Sequence, residues 1–439
     1  MLKVRRGVFG LFVGAMCLAG PALAQDAEPA KPQTPPDAAD GAIVPEADPA
    51  VMAEVNVAMR AMEAAMVAGD TQAFLGLVIQ TDSEFLHEQT YFAKDLAKKK
   101  PETVALTLEE AVVGDGVVEG KLTWAWKMAA EGSKPRKVSF RAKFVQVSGQ
   151  WKYAGETWER HEAPGVIVYH DPGLDELAER TVTAFTAVRA KVEEGFELTD
   201  AALPKRTQKI KMYGSMRHLQ QSICLSYTDG LGGWNEPGES IKLLANKSTT
   251  VDSLKSLLAH EYGHVATFEL GPKSNDMPWW VLEGVAELSS EVVAGGGSPD
   301  RTVLRWAKTD KLVDFPLLAD FDNCKPEHMG HVYTQGHGMM NYISQRWGRG
   351  GRNAWMRAMS SGTSIDDASR QVFQMDFAQL DREWRESLAK ENARRDAEKA
   401  AKDAAAGETG DTPKDESGKE KPKPSDAGAE GAPAQPKKN

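Results

Sequence analysis

His260-Glu261-Tyr262-Gly263-His264 lies within Leu254 to Leu270, where Leu254, Leu257, Leu258, Tyr262, Val265 and Phe268 recur at i, i+3 and i+4. That period predicts an amphipathic helix, with Asp252 or Ser253 able to cap its start. On a helix, residues four apart share a face, so His260 and His264 can hold one Zn²⁺ together. The carboxylate between them, Glu261, can act on a water bound to that metal. The pattern supplies the metal and base of a hydrolytic site.

A catalytic zinc keeps three protein ligands and an open position, so a third ligand is required. Pro278 to Val293 reads P-W-W-V-L-E-G-V-A-E-L-S-S-E-V-V. Its apolar residues Trp280, Val281, Val285, Leu288 and Val292 predict a second helix starting just after the proline. Glu283 lies near its start, with eighteen residues between it and His264, and Glu287 follows one turn later on the same face. Two carboxylates on a helix are ordinarily solvated, but Trp279, Trp280 and the apolar flank argue for burial here.

H-E-x-x-H followed after eighteen residues by the Glu of a W-x-x-E-G-x-A-E block resembles the gluzincin metallopeptidases, whose third zinc ligand is a Glu on the next helix. The E-G-x-A-E block is similar to that of the aminopeptidase branch of this group. The resemblance implies Glu283 as the third ligand. It also implies, from thermolysin-like members, that Glu287 hydrogen-bonds the first zinc histidine and fixes its tautomer. A further helix, roughly His331 to Trp347, carries Tyr333-x-x-Gly336, similar to the Tyr-x-x-Gly of the aminopeptidase branch, where the phenol donates to the oxyanion. A phenol is a neutral donor at pH 7, suited to that task. His337, one turn beyond Tyr333, is a possible helper. His328, His331, His87, His161, His170 and His218 carry no ligand spacing and read as surface or core residues.

The resemblance, which spans about Gly165 to Leu388, implies a zinc metallopeptidase with Glu261 as general base, acting on a peptide or protein substrate bound as an extended strand on a sheet edge just before the metal helix. Ser240 to Leu244 is the short apolar strand in that place. The preceding Gly232-Gly233-Trp234-Asn235-Glu236 departs from the Gly-Ala-Met-Glu-Asn loop with which aminopeptidases hold a free amine, which favours endopeptidase or oligopeptidase action. Two alternatives stay open on the residues alone. One is a binding or scaffold protein that keeps the fold with little turnover, although a scaffold has no physical need for Glu261. The other is a zinc hydrolase of a non-protein amide such as peptidoglycan peptide, whose chemistry at the metal would be the same.

Lys3, Arg5 and Arg6 precede an apolar segment, Gly7 to Ala19, and Ala22-Leu23-Ala24 offers a small-x-small cleavage site. Residues 1–24 therefore read as a bacterial-type signal peptide, predicting a periplasmic or secreted chain with no transmembrane segment. Removal of that segment leaves Cys224 and Cys324, for which a disulfide and two free thiols are both open. Residues 25–50, rich in Pro, Ala and Asp, read as a disordered linker, and 391–439, rich in Lys, Glu, Ala, Gly and Pro, as a disordered tail, although Leu388 to Lys402 is able to extend the preceding helix.

Between them the chain exceeds one core's worth, and a composition shift at Glu162-Ala163-Pro164-Gly165 predicts a boundary. Residues 51–162 read as helices and then successive antiparallel strands, Gly116 to Met128, Val138 to Ser148 and Gln150 to Trp158. That order resembles, in pattern only, the cone-shaped folds of the nuclear-transport-factor superfamily. Residues 165–390 read as strand, helix, strand, helix, edge strand, metal helix and then a helical half: α+β, a zincin-like domain preceded by a small α+β antiparallel-sheet domain. A net charge of −10, from 53 Lys and Arg against 63 Asp and Glu, together with the lack of a basic stripe, excludes nucleic acid as the main partner. The oligomeric state is left open.

Overall fold

Three aspartates open the first three helices. In the computed structural model, which describes residues 48–198, 207–228, 230–294 and 300–408, Asp48 accepts from Ala50 N ahead of α1 (Pro49–Ala68). Asp70 accepts from Ala73 N ahead of α2 (Thr71–Gly76), and Asp82 from Glu84 N and Phe85 N ahead of α3 (Ser83–Lys98). Each satisfies amides that have no helical carbonyl to meet. The three helices pack on an antiparallel sheet of β1 (Pro101–Gly114), β2 (Val117–Met128), β3 (Arg136–Val147) and β4 (Gln150–Glu156), in that order. Alternation along the strands turns Leu106, Leu122, Trp124, Phe140 and Phe144 toward Met59, Met62, Met66, Phe74 and Phe92, one continuous core.

The second sheet is built from β5 (Glu159–Ala163), β6 (Val166–His170), β7 (Gln208–Tyr213), β8 (Gly233–Trp234) and β9 (Ile241–Leu244), in the order β5-β6-β7-β9-β8. β6, β7 and β9 are parallel, and the two outer strands run antiparallel to their neighbours. α4 (Asp175–Gly195) connects β6 to β7, and α5 (Met216–Ile223) follows β7.

Two expectations are corrected here. The boundary placed at Glu162–Gly165 falls in the turn of the β5–β6 hairpin, where Gly165 takes a left-handed φ of 80°, so the second sheet already begins at Glu159. Ser240 to Leu244 is not the sheet edge either. β9 is interior, and the edge is β8, which alternation could not reveal because only Gly233 and Trp234 pair with it.

α6 (Val251–Phe268) packs against α4 on one side and α7 (Trp279–Ala294) on the other, and α7 packs against α9 (Met329–Ser360). α8 (Asp300–Lys308) lies between α7 and α9 in the chain and has no counterpart in the sequence reading. α9 is broken at Gly348 (φ 71°, ψ 174°), and α10 (Ile365–Phe373) and α11 (Phe377–Glu408) follow. The α7–α9 crossing has a specific cause. A Cβ on Gly284 would lie 2.5 Å from the Gly336 carbonyl carbon, and one on Gly336 would lie 2.5 Å from the Trp280 carbonyl oxygen. The glycine of E-G-x-A-E and that of Tyr-x-x-Gly thus meet, and backbone touches backbone because neither has a side chain. Trp280, Phe315, Trp355 and Trp384 fill the core around this crossing.

The fold is mixed α+β. Residues up to Ala389 form one compact unit, and Lys390 begins a second. The expected disordered tail is corrected over 391–408, which is helical. Ala, Lys and Glu are strong helix formers, and Glu391 pairs with Arg394 and Arg395 at i+3 and i+4, a support that composition alone hides. Cys224, buried, and Cys324 are both free thiols. No helix among the described residues is long and apolar enough to cross a membrane. The expected signal peptide, most of the 25–50 linker and residues 409–439 lie outside the described residues.

Candidate metal centre

α6 brings His260, Glu261 and His264 to the sheet side of α7. Its cap is Thr250, whose hydroxyl accepts from Ser253 N at 3.2 Å, two residues before Asp252 and three before Ser253, the caps expected from the sequence. His260 and His264 are each 2 % exposed, Glu261 1 % and Glu283 0 %, so all four side chains are buried. His260 Nε2 and His264 Nε2 are 3.2 Å apart. Glu283 Oε2 lies 3.3 Å from the first and 3.5 Å from the second.

These three edges test what the cluster can hold. Zinc bonds of ~2.0–2.1 Å at tetrahedral angles place ligand atoms about 3.3–3.4 Å apart. The triangle has those dimensions, its atoms are two imidazole nitrogens and a carboxylate oxygen, and Glu283 Oε2 is buried without a hydrogen-bond donor. The residues therefore fit a zinc ion. The surrounding bonds aim the ligands. Trp279 Nε1 donates to Glu283 Oε1 at 2.9 Å, which leaves Oε2 turned to the histidines. Glu287 Oε1 sits 3.3 Å from His260 Nδ1, so Nδ1 carries the proton and Nε2 keeps its lone pair for a metal.

Electrostatics agree with a cation at the centre. Burial opposes a charged His260, but the Glu283 and Glu287 carboxylates beside its two ring nitrogens outweigh it and raise its pKa to about 10. Burial pushes the Glu283 carboxyl upward, and His264 and His260 pull it down further, to about 2. Glu261 is raised, by burial first, against the pull of both imidazoles and with the Glu283 charge adding to the rise. Positive charge is wanted at the triangle, and negative charge beside it is costly unless that charge is supplied.

Glu261 is held from the sheet edge. Asn235 Nδ2 donates to Glu261 Oε2 at 2.8 Å and to the Glu261 carbonyl at 3.0 Å, while Oε1 is buried with no hydrogen-bond partner. β8 passes so close that a Cβ on Gly233 would lie 2.4 Å from Oε1. The sequence reading named this loop for its departure from the amine-holding loop but gave neither residue a role toward Glu261. The motif-poor loop gave no signal except its glycines, which mark close backbone approach.

Tyr333 is buried, with its ring edge-on to Trp279 at 6.0 Å between centroids, so it stands beside the indole that holds Glu283. His337 is not brought to the triangle. Its Nε2 lies 2.7 Å from Glu291 Oε2, one turn past Glu287 on α7, and that pairing takes it out of the helper role. Among the described residues, Glu159, His170 and Asp175 also bring ligand atoms within 4.8 Å of one another, but both carboxylates are exposed.

No family model matches the chain, and no curated protein matches it. Among solved structures it is similar to a variant of Rv3472, a protein of unknown function from Mycobacterium tuberculosis, at 13% identity over 24% of this chain and 68% of that one. The TM-score is 0.21, too low to bear on fold or function.

Proposed function

We propose that this chain is a periplasmic or secreted zinc-dependent metallopeptidase of zincin fold, hydrolysing peptide bonds in peptide or protein substrates with Glu261 as general base. The observation that carries the proposal is the buried triangle of His260 Nε2, His264 Nε2 and Glu283 Oε2, with edges of 3.2, 3.3 and 3.5 Å and a carboxylate next to it. A carboxylate beside such a triangle is the arrangement that metal-assisted hydrolysis requires.

A zinc ion held by those three residues would lower the pKa of a water toward ~7 and polarise a scissile carbonyl. Glu261 takes the proton of the attacking water on Oε1, its unengaged oxygen, and hands it to the leaving amine. Burial raises its affinity for that proton, which suits an acid–base group working near neutrality. Glu287 keeps His260 in the tautomer that presents Nε2. Tyr333 is the donor assigned to the carbonyl oxygen as negative charge develops there. β8, an edge strand of its sheet and the one lying against Glu261, is where an extended substrate would add as a further strand.

The test is zinc content together with cleavage of unfolded casein and an N-terminally blocked peptide library, by the purified chain and its Glu261→Gln variant. One zinc per chain in both proteins, with cleavage only in the parent, is expected. Bound zinc without any turnover would favour a scaffold or a non-protein amide substrate, and absence of zinc would remove the site.

A further inference from the structure

We infer that the module formed by α1–α3 and β1–β4 belongs to the hydrolytic apparatus, because it suspends the edge strand β8 from both ends and so places Asn235 as the positioning residue for Glu261. The inference rests on the reading of Glu261 as the general base. β8 is two residues long and pairs with β9 only at Gly233↔Leu243 and Trp234↔Lys242. Leu244 N adds a bond to the Gly232 carbonyl at 2.8 Å and Lys242 pairs with Glu239 at 3.3 Å, and the remaining contacts that hold the chain on either side of β8 come from the other sheet's module.

Before β8, Trp126 Nε1 donates to the Leu225 carbonyl at 3.0 Å, Arg136 donates to the Tyr227 carbonyl at 2.6 Å, and Ser226 Oγ donates to Asp95 Oδ2 at 2.9 Å. After β8, His87 Nε2 donates to the Pro237 carbonyl at 2.9 Å and Ser240 Oγ donates to Glu88 Oε1 at 2.6 Å. Gly238, at φ 87°, passes so near the His87 ring that a Cβ would touch it at 3.4 Å. Glu88 is itself fixed by Lys211 of β7 at 2.6 Å. Three residues of α3, namely His87, Glu88 and Asp95, thus hold the segment on either side of Asn235.

Asn235 transmits that placement. Its single amide nitrogen grips both the backbone and one carboxylate oxygen of Glu261, which selects one rotamer and leaves Oε1 as the oxygen free to work. A general base displaced by about 1 Å loses on the order of 100-fold in rate, so control of this rotamer is control of turnover. The module is therefore neither an independent binding domain nor a detachable spacer.

Four substitutions test this in the full chain. Asn235→Ala is expected to lower kcat about 10- to 100-fold with KM changed less than about twofold and one zinc retained. The same substitution in a Glu261→Asp background is expected to cost almost nothing more, because the shorter carboxylate no longer reaches the amide. His87→Ala is expected to lower kcat by a smaller factor and to speed amide exchange across 230–244. Lys127→Ala, an exposed residue of the same module, is expected to change neither. Full kcat in Asn235→Ala, additive losses in the double variant, or unchanged exchange in His87→Ala would overturn the inference while leaving the metallopeptidase reading intact. A crystal structure of Asn235→Ala decides it without activity. A displaced Glu261 carboxylate supports Asn235 as its positioning residue whatever the parent cleaves, and an unmoved carboxylate overturns the inference.

Discussion

Gly233→Ala separates function from folding. The added Cβ would stand 2.4 Å from Glu261 Oε1 and 2.7 Å from its Cδ. Non-bonded carbon and oxygen settle at roughly 3.3–3.5 Å, so the carboxylate must retreat by about 1 Å. What gives way is the end of a side chain rather than backbone, and alanine also restricts the unfolded chain more than glycine does. The net change in stability is expected within about 1 kcal/mol. The atom displaced is nevertheless the one assigned to take the proton, and a misplacement of about 1 Å costs on the order of 100-fold, about 2.7 kcal/mol of transition-state stabilisation. His260, His264 and Glu283 are untouched, so zinc stoichiometry should stay at the parent value. The assay is kcat on a blocked peptide, with metal content and a thermal melt on the same preparation. Parental kcat in a folded, zinc-loaded Gly233→Ala protein would refute the placement of Glu261 Oε1 as the working oxygen.

Glu287→Ala removes the partner of His260 Nδ1 and should weaken zinc binding about 10- to 100-fold, read by competition with a chromophoric chelator; unchanged affinity would show that Trp279 and packing orient the ligands unaided. Gly336→Ala forces α7 and α9 apart at the Trp280 carbonyl, and a loss of about 1–3 kcal/mol, or roughly 1–4 °C in Tm, is expected; an unshifted melt would contradict the backbone contact. Glu88 is opposed by burial but held by Lys211 and Lys242 at about 2, below its ordinary 4.5, so the folded chain binds that proton less readily than the unfolded one. Its contribution to stability is complete above about pH 4.5 and is lost as pH falls toward 2. Urea midpoints should therefore fall more steeply over that window in the parent than in Glu88→Gln, and parallel curves would count against the pair.

Sequence legibility followed the range of the interactions. α5 and α10 occur where their apolar spacing predicts, because a helix closes its hydrogen bonds within four residues and its period is written locally. β2, β3 and β4 were legible for the same reason, each alternating between a buried and an open face. β8 was not, since two residues carry no period and their pairing is set by a strand seven positions later. The helix beyond Lys390 was legible only as an extension able to reach Lys402, because its composition suits both a helix and a solvated tail, and the ion pairs that favour the helix are a matter of spacing rather than content. His337 was misassigned because its neighbour in sequence, Tyr333, faces Trp279, while its neighbour in space is Glu291.

The sequence by itself determined the two helices that carry His260, Glu261, His264, Glu283 and Glu287, and the identity of the groups they offer, since both follow from side-chain chemistry repeated at helical spacing. Only the tertiary structure decided that the three donor atoms close to a triangle of zinc dimensions, that Gly284 meets Gly336 to let the helices touch, and that Asn235 reaches Glu261 from a sheet edge suspended by a separate module. Those are distances between residues far apart in the chain. They depend on how cores of many side chains pack at once, a sum that no local period records.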